Sequence, residues 1–170
     1  MSYSCDNLYS HSEKLLRDHL LNVGRTARDW VKYLQLDFGI AKSILADVAY
    51  IIGLSHDLGK ATGAFQKYLF TEDEEERARL KNRDETRHSP LGAFCGYYFT
   101  KEYLKTNHIK AEYEDYLPVV AFLVIQRHHG DLNPIIVETA KCKGEKIKSY
   151  FNDIGVQQFD ELLSGTISMI

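Results

Sequence analysis

The sequence predicts an all-α protein, on three observations. Apolar residues recur at spacings of three and four in most segments, capping signals stand before several of them, and nowhere do apolar and polar residues alternate over the length of a strand. A chain of 170 residues, 44% of them apolar, is the size of one domain and can bury a core. Residues 1–170 are therefore expected to form a single domain, without linker or internal repeat.

Ser10 or Ser12 is expected to cap a first helix running from about residue 12 to Leu36, with Leu16, Leu20, Val23, Ala27, Trp30, Val31 and Leu34 as its apolar stripe. A second helix is expected from Ala41 to about Leu58, closed by Gly59 in the left-handed position that ends helices. A short helical piece follows around Phe65 to Leu69. The segment Thr71 to Arg87 carries seven acids and five bases and no apolar stripe, which marks a solvated excursion, partly helical or loop. Ser89 as N-cap and Pro90 at the first helical position open a helix reaching about Leu104. Another begins near Pro118 and is apolar nearly all round to Ile125, the pattern of a central buried helix, with Gly130 as its stop. Asn133 and Pro134 repeat the cap-then-proline signal, and the remainder to Ile170 reads as helical but weakly patterned.

The bulk composition narrows the function by exclusion. The longest uncharged apolar run, Leu117 to Ile125, falls far short of the roughly 18 residues of a membrane span, and no secretory signal opens the chain, so a cytoplasmic protein is expected. Cys5, Cys95 and Cys142 are odd in number and scattered, which indicates neither a disulfide framework nor a thiolate zinc site. A net charge of −3 is not that of a general polyanion binder, so a nucleic acid would have to be held locally. Lys141, Lys143, Lys146 and Lys148 offer one local patch, read either as a guide for a strand or as a solvated helix face.

The chemistry lies in where the histidines fall. His19 sits in the apolar stripe of the first helix, three residues after Leu16 and four before Val23. His56 continues the row Leu45, Val48, Ala49 and Ile52, and Asp57 lies about 100° further round the same helix end. His128 ends the row Leu117, Ala121 and Val124, and His129 ends the neighbouring row Pro118, Phe122 and Ile125. His88 immediately precedes a helix start. Each alone is compatible with a hydrogen-bonded boundary histidine; together, five imidazoles and a carboxylate at inner helix ends are many polar groups to satisfy in one volume, and a cation does so. A carboxylate has two oxygens and can bridge two ions. One grouping consistent with the spacing is His19, His56 and Asp57 around a first ion, with Asp57, His88, His128 and His129 around a second. Two such ions about 3.5 to 4 Å apart suit phosphoester hydrolysis. Lys60 would then contact the scissile phosphate or the leaving oxygen.

These residues resemble a known family. His19, "HDLGK" at 56 to 60, His88 and "HHG" at 128 to 130 are similar to the ligand set of the HD superfamily of metal-dependent phosphohydrolases. "YSHS" at 9 to 12, "DHLLNV" at 18 to 23, "GLSHDLGKATGAFQKYL" at 53 to 69, "RHSPLGA" at 87 to 93 and "RHHGDL" at 127 to 132 resemble, in that order, the HD nuclease of type I CRISPR interference. That antiviral nuclease occurs as a separate subunit or fused to a superfamily 2 helicase.

The resemblance spans residues 9 to 132. It implies an all-α HD-domain helical bundle and metal-dependent cleavage of DNA, chiefly single-stranded, with the CRISPR helicase and surveillance complex as partners. It also implies His19, His56, Asp57, His88, His128 and His129 as metal ligands, Asp57 and Lys60 as catalytic residues, and Lys60 and Ser89 as phosphate contacts. His11 lies in the opening motif and is assigned no ion; His108 is expected to be exposed.

The mixed nitrogen and oxygen set favours one or two divalent transition metals, manganese, nickel, cobalt, iron or zinc, over magnesium or calcium. The family commonly supplies one further aspartate downstream of HHG; Asp153 and Asp160 do not sit in its pattern, and the chain ends on the apolar "GTISMI". A domain truncated at its C-terminus is therefore expected. Two other readings stay open: an HD phosphohydrolase acting on nucleotides or cyclic dinucleotides, and a non-catalytic metal-stapled module docking a helicase or surveillance complex.

Overall fold

The computed structural model describes residues 7–35 and 39–130. Asn133, Pro134, the lysines from Lys141 to Lys148, Asp153, Asp160 and the expected C-terminal helix lie outside the described residues. Those described are almost wholly helical, as the apolar periodicity predicts.

A short antiparallel hairpin, β1 (Tyr9–His11) and β2 (Lys14–Leu15), comes first. Then come α1 (Leu16–Tyr33), α2 (Lys42–Ser55), a 3-10 turn at Leu58–Ala61, α3 (Gly63–Phe70) and α4 (Glu74–Lys81). A second 3-10 turn at Asp84–Thr86 leads into α5 (Ser89–Thr106) and α6 (Ala111–Gln126).

Four long helices form the bundle, and their side-chain pairs give its direction. His19 meets His56 and Arg28 meets Asp47, so α1 and α2 run antiparallel. Tyr103 meets Asp47 across α2 and α5, and Phe94 meets Phe122 across α5 and α6, where His88 also meets His129. The start of α1, the end of α2, the start of α5 and the end of α6 therefore gather at one end of the bundle. Glycines allow the approach. A Cβ on Gly53 would lie 2.6 Å from the Gly24 Cα, and one on Gly92 would lie 2.5 Å from the Ser55 carbonyl oxygen, far inside van der Waals contact.

The opposite end holds an apolar core of Val48, Leu104, Tyr113 and Leu117, with Ile44, Leu45, Ile52 and Ile109 packed against it. Leu104 is fully buried, so truncating it to alanine would destabilise the fold by about 2–5 kcal/mol. Asp47 ties three helices beside this core, accepting from the Tyr103 hydroxyl at 2.8 Å and pairing with Arg28 at 2.7 Å.

Several boundaries differ from expectation. The hairpin is too short to show alternation, and it takes up Ser10 and Ser12, so α1 starts at Leu16 with no side-chain cap. The buried Ser10 hydroxyl instead donates to the Lys14 carbonyl across the hairpin. Only Leu16, Leu20 and Gly24 of α1 are fully buried, and Trp30 is 74% exposed. Trp30 lies 100° round the helix from Val31, beyond the strip that α2 covers. α2 ends at Ser55 and gives way to the 3-10 turn; Gly59 lies within that turn and has no positive φ. Its lack of a side chain serves a contact, because a Cβ there would collide with the His88 backbone.

α5 begins one residue earlier than its signal, with His88 at the cap, Ser89 first and Pro90 second. α6 starts at Ala111, seven residues before Pro118. Tyr113, Leu117, Ala121 and Ile125 form one buried row, and that burial offsets the roughly 3 kcal/mol that an internal proline costs. α6 is not buried all round, since Tyr116, Val120 and Val124 stand exposed on its other flank. The charged excursion is helical over Glu74–Lys81 and mostly exposed, anchored by Leu80 and Thr86. Cys95 is a buried bystander whose thiol burial pushes up to about 11. No helix among the described residues is long and apolar enough to cross a membrane.

Candidate metal centre

All six expected ligand residues meet where the four helix ends gather. His19 projects from the first turn of α1. His56 still belongs to the helical path of α2, its N–H donating to the Ile52 carbonyl at 2.9 Å, whereas Asp57 has left it at φ −113°. The two adjacent side chains can thus point to different partners. His88 enters from the start of α5, and His128 and His129 from just beyond the end of α6.

Asp57 is the hub, and it is 2% exposed. Its two oxygens divide the cluster. Around Oδ2 stand His19 Nε2 at 3.0 Å, His56 Nε2 at 3.4 Å and Lys60 Nζ at 2.8 Å. Around Oδ1 stand His88 Nε2 at 3.2 Å and His128 Nε2 at 3.3 Å, and His129 Nε2 lies 2.9 Å from His88 Nε2. One ligand atom from each of Asp57, His88, His128 and His129 lies within 4.8 Å of the others, and the same holds for His19, His56 and Asp57. These are the two groups the spacing suggested.

Electrostatics keep the donors in ligand form. Burial by itself would raise the Asp57 carboxyl, but the surrounding His128, His56, His88 and Lys60 side chains outweigh it and hold Asp57 far below the ordinary carboxylate range. Burial lowers His19 below the usual imidazole value, with Asp57 pulling it back up and His56 pressing it down. Burial also lowers His129, and His128 and His88 add to the effect. Both rings are therefore uncharged near neutral pH.

Two imidazoles test whether a cation fits. His56 Nδ1 lies 2.7 Å from the Gly53 carbonyl oxygen, and His128 Nδ1 lies 2.6 Å from that of Ile125. A carbonyl only accepts, so both Nδ1 atoms carry a proton, and each ring in its neutral form presents an Nε2 lone pair. In that form the His56 Nε2 lone pair lies 3.4 Å from Asp57 Oδ2 and the His128 Nε2 lone pair 3.3 Å from the buried Oδ1, acceptor against acceptor. An ion placed among them satisfies all of these atoms, and an imidazole whose other nitrogen is held by a backbone carbonyl is the usual arrangement of a metal-binding histidine. The residues fit a divalent metal ion.

Residues 9–164 match the family described as Cas3, HD domain. The chain belongs to the Cas3 HD family. No curated protein and no solved structure matches it significantly. Family membership gives the coarse activity, a metal-dependent phosphohydrolase or nuclease of the CRISPR system, and HD domains bind divalent metals. It also makes nucleic acid the class of substrate and a CRISPR complex the setting.

Other expectations fall differently on this Cas3 HD fold. Lys60 does not face outward: it is 6% exposed, and its ammonium is held by Asp57 Oδ2 and by the Ser10 carbonyl at 3.4 Å. The 3-10 turn, pressed against the backbone of His88, directs it inward. Ser89 is half-buried directly after His88. His11, given no ion, nevertheless packs edge-on against His19 with ring centroids 5.7 Å apart. His108 is exposed, as expected, at φ 51°.

The sequence reading missed Gln66. It is wholly buried and bonds to Tyr9 and to Lys60. A polar residue among Phe65, Tyr68 and Leu69 in a short helix was the available signal.

Proposed function

We propose that this chain is a single-stranded-DNA nuclease of CRISPR interference, acting in the cytoplasm beside a CRISPR helicase and surveillance complex. Residues 1–170 would form one HD nuclease domain. His19, His56 and Asp57 hold one divalent ion, and Asp57, His88, His128 and His129 hold another, drawn from manganese, nickel, cobalt, iron and zinc. The observation that carries the reading is the pair of Nε2 atoms, on His56 and His128, turned toward the Asp57 carboxylate by their carbonyl-bound Nδ1 atoms.

When bound, the ions supply Lewis acidity toward a phosphate oxygen and toward water. The chain's own residues do the rest. Asp57 stays ionised and offers one oxygen to each side. Lys60 grips Oδ2 and fixes the carboxylate plane, acting on the reaction through Asp57. The exposed ring of His129 marks the side from which a strand enters, and Ser89, beginning α5 beside His88, offers its hydroxyl to a phosphate oxygen.

The test is cleavage of single-stranded DNA by purified protein with manganese or nickel, compared with Asp57→Ala. Wild type cuts and the variant does not. Equal behaviour of the two under every metal would overturn the assignment. Hydrolysis of nucleotides or cyclic dinucleotides with DNA spared would move the substrate, and bound metal without any hydrolysis would leave a docking module.

A further inference from the structure

Gln66 is 0% exposed, and its amide is spent completely. The two Nε2 hydrogens go to the Tyr9 carbonyl at 2.8 Å and the Lys60 carbonyl at 2.7 Å, and Oε1 accepts from the Tyr9 N–H at 3.1 Å. The orientation is unambiguous, because a flipped amide would set its oxygen against two carbonyl oxygens. The side chain therefore pairs with β1 as a neighbouring strand would. In the same group it clasps the turn that carries Lys60.

The consequence reaches the metal centre. Tyr9 precedes Ser10, whose carbonyl accepts from Lys60 Nζ, and that ammonium grips Asp57 Oδ2. Lys60 is thus pinned at both ends, its carbonyl by Gln66 and its ammonium by Ser10 and Asp57. Holding Oδ2 leaves Oδ1 turned toward His88 and His128. We propose that Gln66 is a positioning residue for the metal centre, locking β1 to the Lys60 turn so that Lys60 fixes the plane of the Asp57 carboxylate. This deepens the proposed function and rests on its metal-centre reading.

Only glutamine meets the requirement. Glutamate would present a carboxylate to two carbonyls, and methionine has the shape without the bonds.

The test titrates manganese alone into wild type, Gln66→Met, Lys60→Met and the double variant. Gln66→Met weakens the ion on the Oδ1 side about tenfold, the lower end of the range for residues that orient ligands. Lys60→Met does the same, and the double variant is no weaker than either. A Gln66 that merely supports the fold would lower the melting temperature and leave manganese affinity unchanged, or would add its effect to that of Lys60→Met. Either result overturns the proposal.

The metal-free proteins give a second readout. The Asp57 carboxylate carbon resonance shifts in Gln66→Met, and the Tyr9 amide exchanges faster; an unmoved resonance overturns the proposal even if no metal binds. Absence of binding by wild type, by contrast, refutes the metal-centre reading itself. Should Gln66→Met fail to fold, Gln66→Asn, one methylene shorter, takes its place in the same comparison.

Discussion

The two sides of Asp57 are built from the same ligand types and end up unlike. The Oδ2 side, from α1, the end of α2 and the 3-10 turn, already contains a cation: Lys60 lies 2.8 Å from the oxygen. The Oδ1 side, from the start of α5 and the end of α6, contains none among the described residues. There the buried Oδ1 meets the imidazole nitrogens of His88 at 3.2 Å and His128 at 3.3 Å, and His129 opens to solvent. A buried anion facing imidazoles needs outside charge more than one already paired with an ammonium. The tighter ion is therefore expected on the Oδ1 side, and the weaker one beside Lys60.

The largest expected effect treats both sides at once. Asp57→Ala removes the shared carboxylate, so calorimetry finds neither ion and hydrolysis drops at least about a hundredfold. Next come variants that separate the sides. His128→Ala weakens the ion on the Oδ1 side by about 10- to 100-fold, whereas His19→Ala leaves that affinity within about threefold and lowers the stoichiometry by one. The reverse pattern would break the proposed asymmetry.

A smaller effect is expected from acid. His19 and His129, one on each side, have folded-state values below the ordinary 6.5, so the unfolded chain binds more protons as pH falls. Their stabilising contribution is present above about 6.5 and is lost as pH falls through their folded values. Asp57, held far below 3.8, stays ionised throughout that window. The melting temperature of the metal-free protein is therefore expected to fall by a few degrees between pH 7 and 5, measured by scanning calorimetry, with metal affinity falling alongside as protons compete for the same nitrogens. The partly exposed His129 contributes the smaller share.

The least effect belongs to Ser89→Ala. Metal affinity stays unchanged while KM for single-stranded DNA rises about two- to tenfold, the worth of one hydrogen bond. A loss of metal would move Ser89 from substrate to site.

Local order determined much of this protein. Helical rows ending in His56, His128 and His129, and His19 inside its own stripe, are properties of spacing along the chain, and they made the helices, the clustered side chains and their division into two groups legible in the sequence. The HDLGK stretch and its companions carried the family as well. What local order could not decide was the direction of a side chain at a crossing. Lys60 turns inward because Gly59 lets its turn press against the His88 backbone; Trp30 turns outward because α2 covers only one strip of α1. The hairpin was hidden because a three-residue strand has no period to read, and the side chain that bonds its first residue, Gln66, lies 57 positions away from Tyr9. Periodicity tells which face of a helix is apolar. Only the packing of one backbone against another decides which atom a buried charge will meet.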